Sequence, residues 1–391
     1  MNFSRLKILL DHWQKLVLGF VCLLPSLIGC MATTGDTYTN PVDAINDLGN
    51  FRVIIPSFRG SDGDRWFNTS SDTLDLSGKV VLVDFWDYTC VNCIRTLPYL
   101  NEWYKRYEKD GLVIIGVHSP EFDFAKKEKN VEHAIHEFNL RYPVVMDNNF
   151  KIWNRFSNRY WPAKYLFDKD GVLRAVHFGE GDYGNTEAMI QKLLMEINPD
   201  LRLPRIMEPV RQTDIPGAVC YRTTPETYLG YSRAKLGNDG GYVRDDTALY
   251  IAPATYDEDR VYLSGKWKAE PEFVRYAGSA GVGSIAINYE AAEVDLVIRT
   301  DLSSVGAAED SVPGKVYVTL DGKPLAPDDR GTDVTSDSTG TYLKFTEARM
   351  YNIVRSEAFG RHLLRLIPFS DAFAAYAFTF VTACQIPPDR P

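Results

Sequence analysis

Cys90 and Cys93, separated by Val91-Asn92, are the residues whose types and spacing most directly imply chemistry in this 391-residue chain. Two thiols so placed at the first turn of a helix close a disulfide without moving the backbone. The unpaired N–H groups and positive dipole of the helix start also favour a thiolate. Cys90, the outer and more N-terminal sulfur, is therefore expected to be the nucleophile. Cys93, one turn in, is expected to be the resolving thiol that attacks the mixed disulfide. Zinc sites and haem attachment use the same spacing, but neither fits. No second Cys-x-x-Cys or nearby Cys/His pair completes four ligands, and Ile94 stands where c-type haem attachment needs His. His133 and His136 with Glu132 and Glu137 offer at most half a metal site, and a solvated helix face explains them more simply. The reading calls for no metal and no cofactor.

These thiols need a strand to deliver them and a helix to hold them. Val80-Val81-Leu82-Val83-Asp84-Phe85-Trp86 is a buried-strand pattern, and after Cys93 apolar residues recur at three- and four-residue spacing (Leu97, Leu100, Tyr104, Tyr107) until Asp110-Gly111. From Lys79 to about Pro199 strands and helices alternate, the pattern of an α/β layer fold. Leu112 to Val117 is a continuous apolar run, as a strand covered on both faces requires. Asp168-Lys169-Asp170-Gly171 marks a hairpin turn.

The stretch resembles the thioredoxin superfamily, in its extracytoplasmic TlpA-, ResA- and DipZ-like branch. The resemblance implies that Asp84, six residues before Cys90, is a buried carboxylate exchanging a proton with the resolving thiol, and that Trp86 shields the disulfide. It also implies that Pro98 kinks the active-site helix and that Trp161-Pro162 forms a cis-proline loop facing the sulfurs, where an extended substrate segment docks. Phe58-Arg59-Gly60, Trp66-Phe67-Asn68 and Leu74-Asp75-Leu76 are similar to the N-terminal hairpin of that branch. The segment between the strand Leu112 to Val117 and Val144, including His118-Ser119-Pro120-Glu121-Phe122, matches its insertion, where His118 and Glu121 either reach the active-site rim or simply cap a helix. The sequence departs from thioredoxin at Asp87-Tyr88-Thr89 and at Val91-Asn92, and the latter dipeptide tunes thiolate stability.

Residues 200–217, with Pro204, Pro209 and Pro216 among charged residues, have linker composition. Beyond them short, often alternating runs such as Lys315 to Leu320 are separated by turn residues, and Asp321-Gly322 is a hairpin signal. Residues 218–391 are thus expected to form an antiparallel β-sandwich of jelly-roll type. The whole chain reads as an α/β thioredoxin-like domain (residues 51–199) followed by an all-β jelly-roll sandwich domain. Pro225 to Tyr231 and Tyr376 to Phe380 resemble the carbohydrate-binding-like module of DipZ-like proteins, which implies a glycan or an interaction surface. Asp328, Asp329, Asp333 and Asp337 lie in Gly/Ser/Thr-rich sequence and read as a solvated loop rather than a calcium site.

The N-terminus has targeting character. Arg5, Lys7 and Lys15 against Asp11 give the first 29 residues a net +2, which leaves −11 of the chain's −9 on the remainder. An acidic body of this size argues against nucleic acid as a partner. The apolar run Leu16 to Leu24 is shorter than the roughly 20 residues that span a bilayer, and Leu27-Ile28-Gly29-Cys30 resembles a bacterial lipobox. Residues 1–29 are thus expected to be a lipoprotein signal peptide, Cys30 the lipidated residue, and 30–50 a polar tether. The body would sit outside the cytoplasm, in the periplasm or at the cell surface, held by a lipid anchor. Cys220 and Cys384 are left over, either a structural bridge or two unrelated buried thiols.

The resulting expectation is a membrane-tethered thiol-disulfide oxidoreductase acting on protein disulfides and served by a membrane electron donor. The alternatives are a surface-anchored binding protein with a structural Cys pair, and a thiol peroxidase. For the last, Asp87 stands three residues before Cys90, where peroxiredoxins need Thr, and Val83 stands where they need Pro.

Overall fold

In a computed structural model, residues 52–58, 65–300 and 314–386 are described. Cys30, the expected signal peptide and the tether lie outside them. Among the described residues no helix is long and apolar enough to cross a membrane.

The N-terminal domain is built on β1 (Trp66–Phe67), β2 (Val80–Trp86), α1 (Val91–Tyr107), β3 (Leu112–His118), α2 (Glu128–Glu137), β4 (Val144–Met146), α3 (Lys151–Arg155), β5 (Ala163–Phe167), β6 (Leu173–Phe178) and α4 (Tyr183–Ile197). Its six strands lie in the order β1-β4-β3-β2-β5-β6. β2, β3 and β4 run parallel, and β5 and β6 are antiparallel additions. All seven residues of β2 are buried because both faces of the sheet are covered. Leu82 and Trp86 face the core shared with α1 and α4, while Val81, Val83 and Phe85 face Ile152, Trp153 and Phe156. Gly116 is fixed by crowding: a Cβ there would lie 3.1 Å from Trp86 Nε1 and 3.1 Å from Tyr142 Cε2. Of the expected N-terminal hairpin, β1 instead pairs with β4 and forms the sheet edge, and Ile54 forms an isolated bridge with Val172.

Residues 200–217 are more than a tether. Tyr99 Oη donates to Asp214 and accepts from the Val210 N–H, each at 2.7 Å, and the Met207 N–H donates to Glu187 at 2.7 Å. Proline-rich composition stops a helix or strand from forming there, but it leaves side chains and backbone free to strap the segment across α1 and α4.

The C-terminal domain contains β7 (Val219–Cys220), β8 (Thr227–Tyr228), β9 (Thr247–Tyr250), β10 (Val261–Ala269), β11 (Val274–Tyr276), β12 (Ser284–Thr300), β13 (Gly314–Leu320), β14 (Lys323–Pro324), β15 (Val334–Asp337), β16 (Gly340–Phe345), β17 (Arg349–Pro368), β18 (Phe373–Val381) and β19 (Cys384–Gln385). It is all-β, as the alternating runs imply. Eleven of these strands join one continuous sheet organised by two long strands, β12 and β17. The first half of β12 pairs with β10 and the second half with β18, while β10 reaches β18 through β11. The sheet thus turns back on itself around one core that includes Trp267, Tyr289, Val294, Leu296, Phe373 and Phe378. The turn falls where the β12–β17 register shifts, between Ala291 and Glu293 and again between Val294 and Asp295, because an extra residue bends a strand. Such bulges depend on partner strands and are invisible in short-range alternation.

The two domains share a packed interface. Phe122 and Phe124, from the insertion after β3, meet the Tyr376 ring edge-on at 5.0 and 4.9 Å, and Phe273 stacks on Tyr376 at 4.8 Å.

β7 and β19 form a separate two-stranded ladder in which Cys220 faces Cys384, and the two sulfurs are bonded across 164 residues. Closing so long a loop restricts the unfolded chain, a stabilisation of about 2–5 kcal/mol. The Cys220→Ser/Cys384→Ser double variant is expected to lose that amount in urea unfolding. An unchanged midpoint would show that the bridge contributes nothing to the fold.

Candidate functional site

β2 ends at Trp86, and the chain turns into α1 through Asp87-Tyr88-Thr89. Asp87 organises that turn. Its Oδ1 accepts from the Thr89 N–H and hydroxyl, both at 2.6 Å, and its Oδ2 accepts from the Glu121 N–H at 2.7 Å. The Asp-x-Thr pattern of an Asx turn was visible in the sequence and is the signal that could have marked this residue. Cys90 is the N-cap of α1, and its Sγ accepts from the Cys93 N–H at 3.2 Å. Both cysteines are free thiols, Cys90 partly exposed and Cys93 buried. The structure therefore brings the two thiols together at a helix start, with the outer and inner positions expected from their order.

Asp84 lies buried in the middle of the sheet, and neither carboxylate oxygen has a hydrogen-bond partner. Burial pushes its pKa up to about 7, opposed in part by the Lys164 ammonium. Lys164 is its cross-strand partner on β5, also buried, and its Nζ donates to the Gly179 carbonyl at 3.1 Å. Burial pushes the lysine down while Asp84 pulls it up. Sequence reading missed this amine. The signal was a lysine interrupting an otherwise apolar strand directly after the Pro162 loop.

Burial raises both thiols above their ordinary range. For Cys90 the hydrogen bond from Cys93 works against that rise, and the charges of Glu121 and Asp87 add to it. For Cys93 the hydrogen bond and charge of Cys90 and the charge of Asp84 reinforce it, against a backbone hydrogen bond from Asp87.

The Trp161–Pro162 peptide bond is cis. Trp161 Nε1 donates to the Ser119 carbonyl at 3.0 Å, and the Pro162 carbonyl accepts from the Gly179 N–H at 2.8 Å. Exposed Tyr160 and Phe178 flank this loop with ring centroids 5.1 Å apart. Trp86 sits in the core edge-on to His118. His118 does not reach the rim: it is buried, stacked on Tyr88 at 5.6 Å, and burial pushes its pKa down to about 3. Glu121, whose charge bears on Cys90, is held by Tyr228 and Arg233 of the C-terminal domain. Of the suggested acidic loop, Asp333 pairs with Arg349 and Asp337 with Lys315.

Comparisons with known proteins match these parts. Residues 53–176 match the AhpC/TSA family and residues 224–380 the family described as thioredoxin like C-terminal domain. The chain is 36% identical over 276 residues to Protein DipZ of Mycobacterium tuberculosis, covering 69% of this chain and 36% of DipZ. It thus spans little more than a third of that relative's length. It is 33% identical over 119 residues to thiol-disulfide oxidoreductase ResA of Bacillus cereus, covering 30% of this chain and 66% of ResA. Among solved structures it is similar to that of a thioredoxin-like protein in the oxidized form, with 26% identity, a TM-score of 0.33, and coverage of 37% of this chain and 97% of that one. With its thiol pair at a helix start, its cis-proline and the matches to the AhpC/TSA family and to ResA, the N-terminal domain is thioredoxin-like. The 276 residues matched to DipZ exceed the length of either domain alone.

A carboxyl whose folded-state pKa is raised costs stability only above its unfolded value of about 4, and the cost grows until the folded value is passed. Asp84→Asn is therefore expected to raise the unfolding free energy by about 2–4 kcal/mol at pH 8 and by little at pH 4. Urea unfolding at the two pH values reads this directly, and a loss of stability at pH 8 would show instead that Lys164 makes the Asp84 anion a net stabiliser.

Proposed function

We propose that this protein is a thiol-disulfide oxidoreductase acting on protein disulfides. The observation that carries the reading is the free, part-exposed Cys90 capping α1 above a buried Cys93 and a buried, unpaired Asp84. The Cys90 thiolate attacks a substrate disulfide, forming a mixed disulfide and releasing one substrate thiolate, which takes up a proton. Asp84 accepts the Cys93 proton. The Cys93 thiolate then attacks Cys90 Sγ, closing the Cys90–Cys93 disulfide and releasing the second substrate thiol, so two electrons pass to the substrate. The same steps reversed oxidise a dithiol. In this reading, which follows the family resemblance, the cis Trp161-Pro162 loop receives an extended substrate segment and Trp86 shields the pair.

The AhpC/TSA match raises a thiol peroxidase as a second reading. It is the weaker one. The residue three before Cys90 is Asp87, whose oxygens are already engaged by Thr89 and Glu121, so no hydroxyl is placed there to hold a peroxide.

We place the protein outside the cytoplasm, tethered through Cys30 and reduced by a membrane electron donor. The lipobox-like sequence and the Cys220–Cys384 bridge support that compartment. For the C-terminal domain, whose doubled sheet encloses its core in the manner of a sandwich, a wall of the redox site is better supported than a glycan platform. Of the aromatics that suggested sugar, Tyr228 and Tyr376 pack against the N-terminal domain and Phe378 and Phe380 are core.

Cys93→Ser is expected to trap covalent mixed disulfides with protein partners, resolved by thiol reduction before mass spectrometry, and Cys90→Ser to trap none. Equal trapping by the two variants, or none by either, would remove these roles.

A further inference from the structure

Three side chains of the C-terminal domain gather at Glu121: Tyr228 and Arg233 contact it, and Glu226 joins it through Tyr228. Tyr228 Oη lies 2.7 Å from Glu121 Oε1 and 2.6 Å from Glu226 Oε2. Arg233 Nη1 is 2.8 Å from Glu121 Oε1, and its guanidinium carbon sits 3.4 Å over the Tyr228 ring. Glu121 is anchored in turn by its own N–H on Asp87, three residues before Cys90, and its charge bears on the Cys90 thiol.

A phenol carries one proton. It can donate to only one of two carboxylate oxygens, and two bare carboxylates sharing one hydroxyl oxygen repel each other and that oxygen's lone pairs. The arrangement is satisfied when the trio holds one further proton, so that one carboxyl donates to the Tyr228 oxygen while Tyr228 donates to the other. Arg233 fixes the order. Its cation holds the negative charge on Glu121, which leaves the extra proton on Glu226, whose carboxyl is turned inward onto Tyr228 while the rest of the residue meets solvent.

We propose that Glu226, Tyr228 and Glu121 form a proton-sharing triad across the domain interface, whose proton occupancy sets the negative charge facing Cys90 and hence how readily that thiol ionises. The C-terminal domain is then part of the redox site. The proposal rests on Cys90 being the reacting thiol. With the proton in place the triad presents one carboxylate charge; once Glu226 loses it to solvent the triad presents two.

Burial and the Glu121 charge push Glu226 up to about 7, and burial followed by the Asp87 charge raises Glu121. The other charged groups here are Asp87, facing both Glu121 and Cys90, His118 at 3.7 Å from Asp87, Arg233, and Glu272, which accepts from the Asp123 N–H. All are shared by the native chain and the variants below. Raising the pH through about 7 adds charge facing Cys90, so its ionisation is opposed more strongly and its reactivity climbs less steeply than that of an isolated thiol.

The test is the rate of Cys90 alkylation by iodoacetamide in the reduced full chain, followed by mass spectrometry from pH 6 to pH 9. In Glu226→Gln the amide donates to Tyr228 as the protonated carboxyl does, and no second charge can appear. Alkylation is expected to be about threefold faster than native at pH 8–9 and equal at pH 6, with Glu226→Ala giving the same acceleration at the higher pH. Superimposed profiles would overturn the triad, as would equal acceleration at pH 6 and pH 8, because the charge would then not depend on a proton. Alkylation needs no partner protein. A chain that traps no partners yet shows the profile change loses the oxidoreductase reading alone, and trapped partners with superimposed profiles remove the triad alone.

Discussion

Desolvation of ionisable groups beneath the tip of α1 is the constraint on which the rest of the structure depends. Asp84, Cys93 and Lys164 are buried together, and each is pushed toward its neutral form. A group so placed changes its proton at little cost when a neighbour changes charge, which suits a thiol that must lose and regain a proton in each cycle. The sheet makes the placement possible: β2 is covered on both faces, and antiparallel β5 sets Lys164 directly across from Asp84. Gly116, in register with Asp84 on β3, leaves the space into which Trp86 and Tyr142 pack.

Around that buried centre lies a ring of negative charge. Asp87 and Glu121 both act on Cys90 and both work against its ionisation, whereas the helix start and the Cys93 N–H work for it. The balance is therefore adjustable from outside the N-terminal domain, because Glu121 is held by residues of the C-terminal one. The aromatic packing of Phe122 and Phe124 on Tyr376 gives that contact its rigidity: the insertion bearing Glu121 is fixed by apolar burial on one side and by Asp87 on the other.

The α/β order and the meeting of the two thiols at a helix start were legible because each rests on local pattern, an apolar run and a two-residue spacing, whereas the cis bond before Pro162 was expected from the family resemblance. The C-terminal domain was legible as all-β for the same reason. Its topology was not, because the bends of β12 and β17 follow from which strands flank each half, information carried by residues more than 50 positions apart such as Glu293 and Arg355. The partnership of Asp84 with Lys164 and that of Glu121 with Tyr228 were equally hidden, being products of register and docking. Glu121 was read as a residue at the rim or at a helix cap, and only the neighbouring domain decides between these.

The Cys220–Cys384 disulfide bears on the same interface. Cys220 lies six residues before Glu226 and eight before Tyr228, so the bridge to Cys384 pins the chain just before it enters β8. β8 pairs with β18, the strand that carries Tyr376 into the interface, and β18 runs on to Cys384. The segment bearing Glu226 and Tyr228 is thus held at both ends by consecutive strands, through the covalent bond to β19 at one end and ladder hydrogen bonds to β18 at the other. A segment with fewer ties would sample positions in which Tyr228 leaves Glu121, and a buried carboxylate without that donor would draw its hydrogen bonds from elsewhere or take up a proton. The Cys220–Cys384 bond therefore helps keep constant the electrostatic surroundings of Cys90.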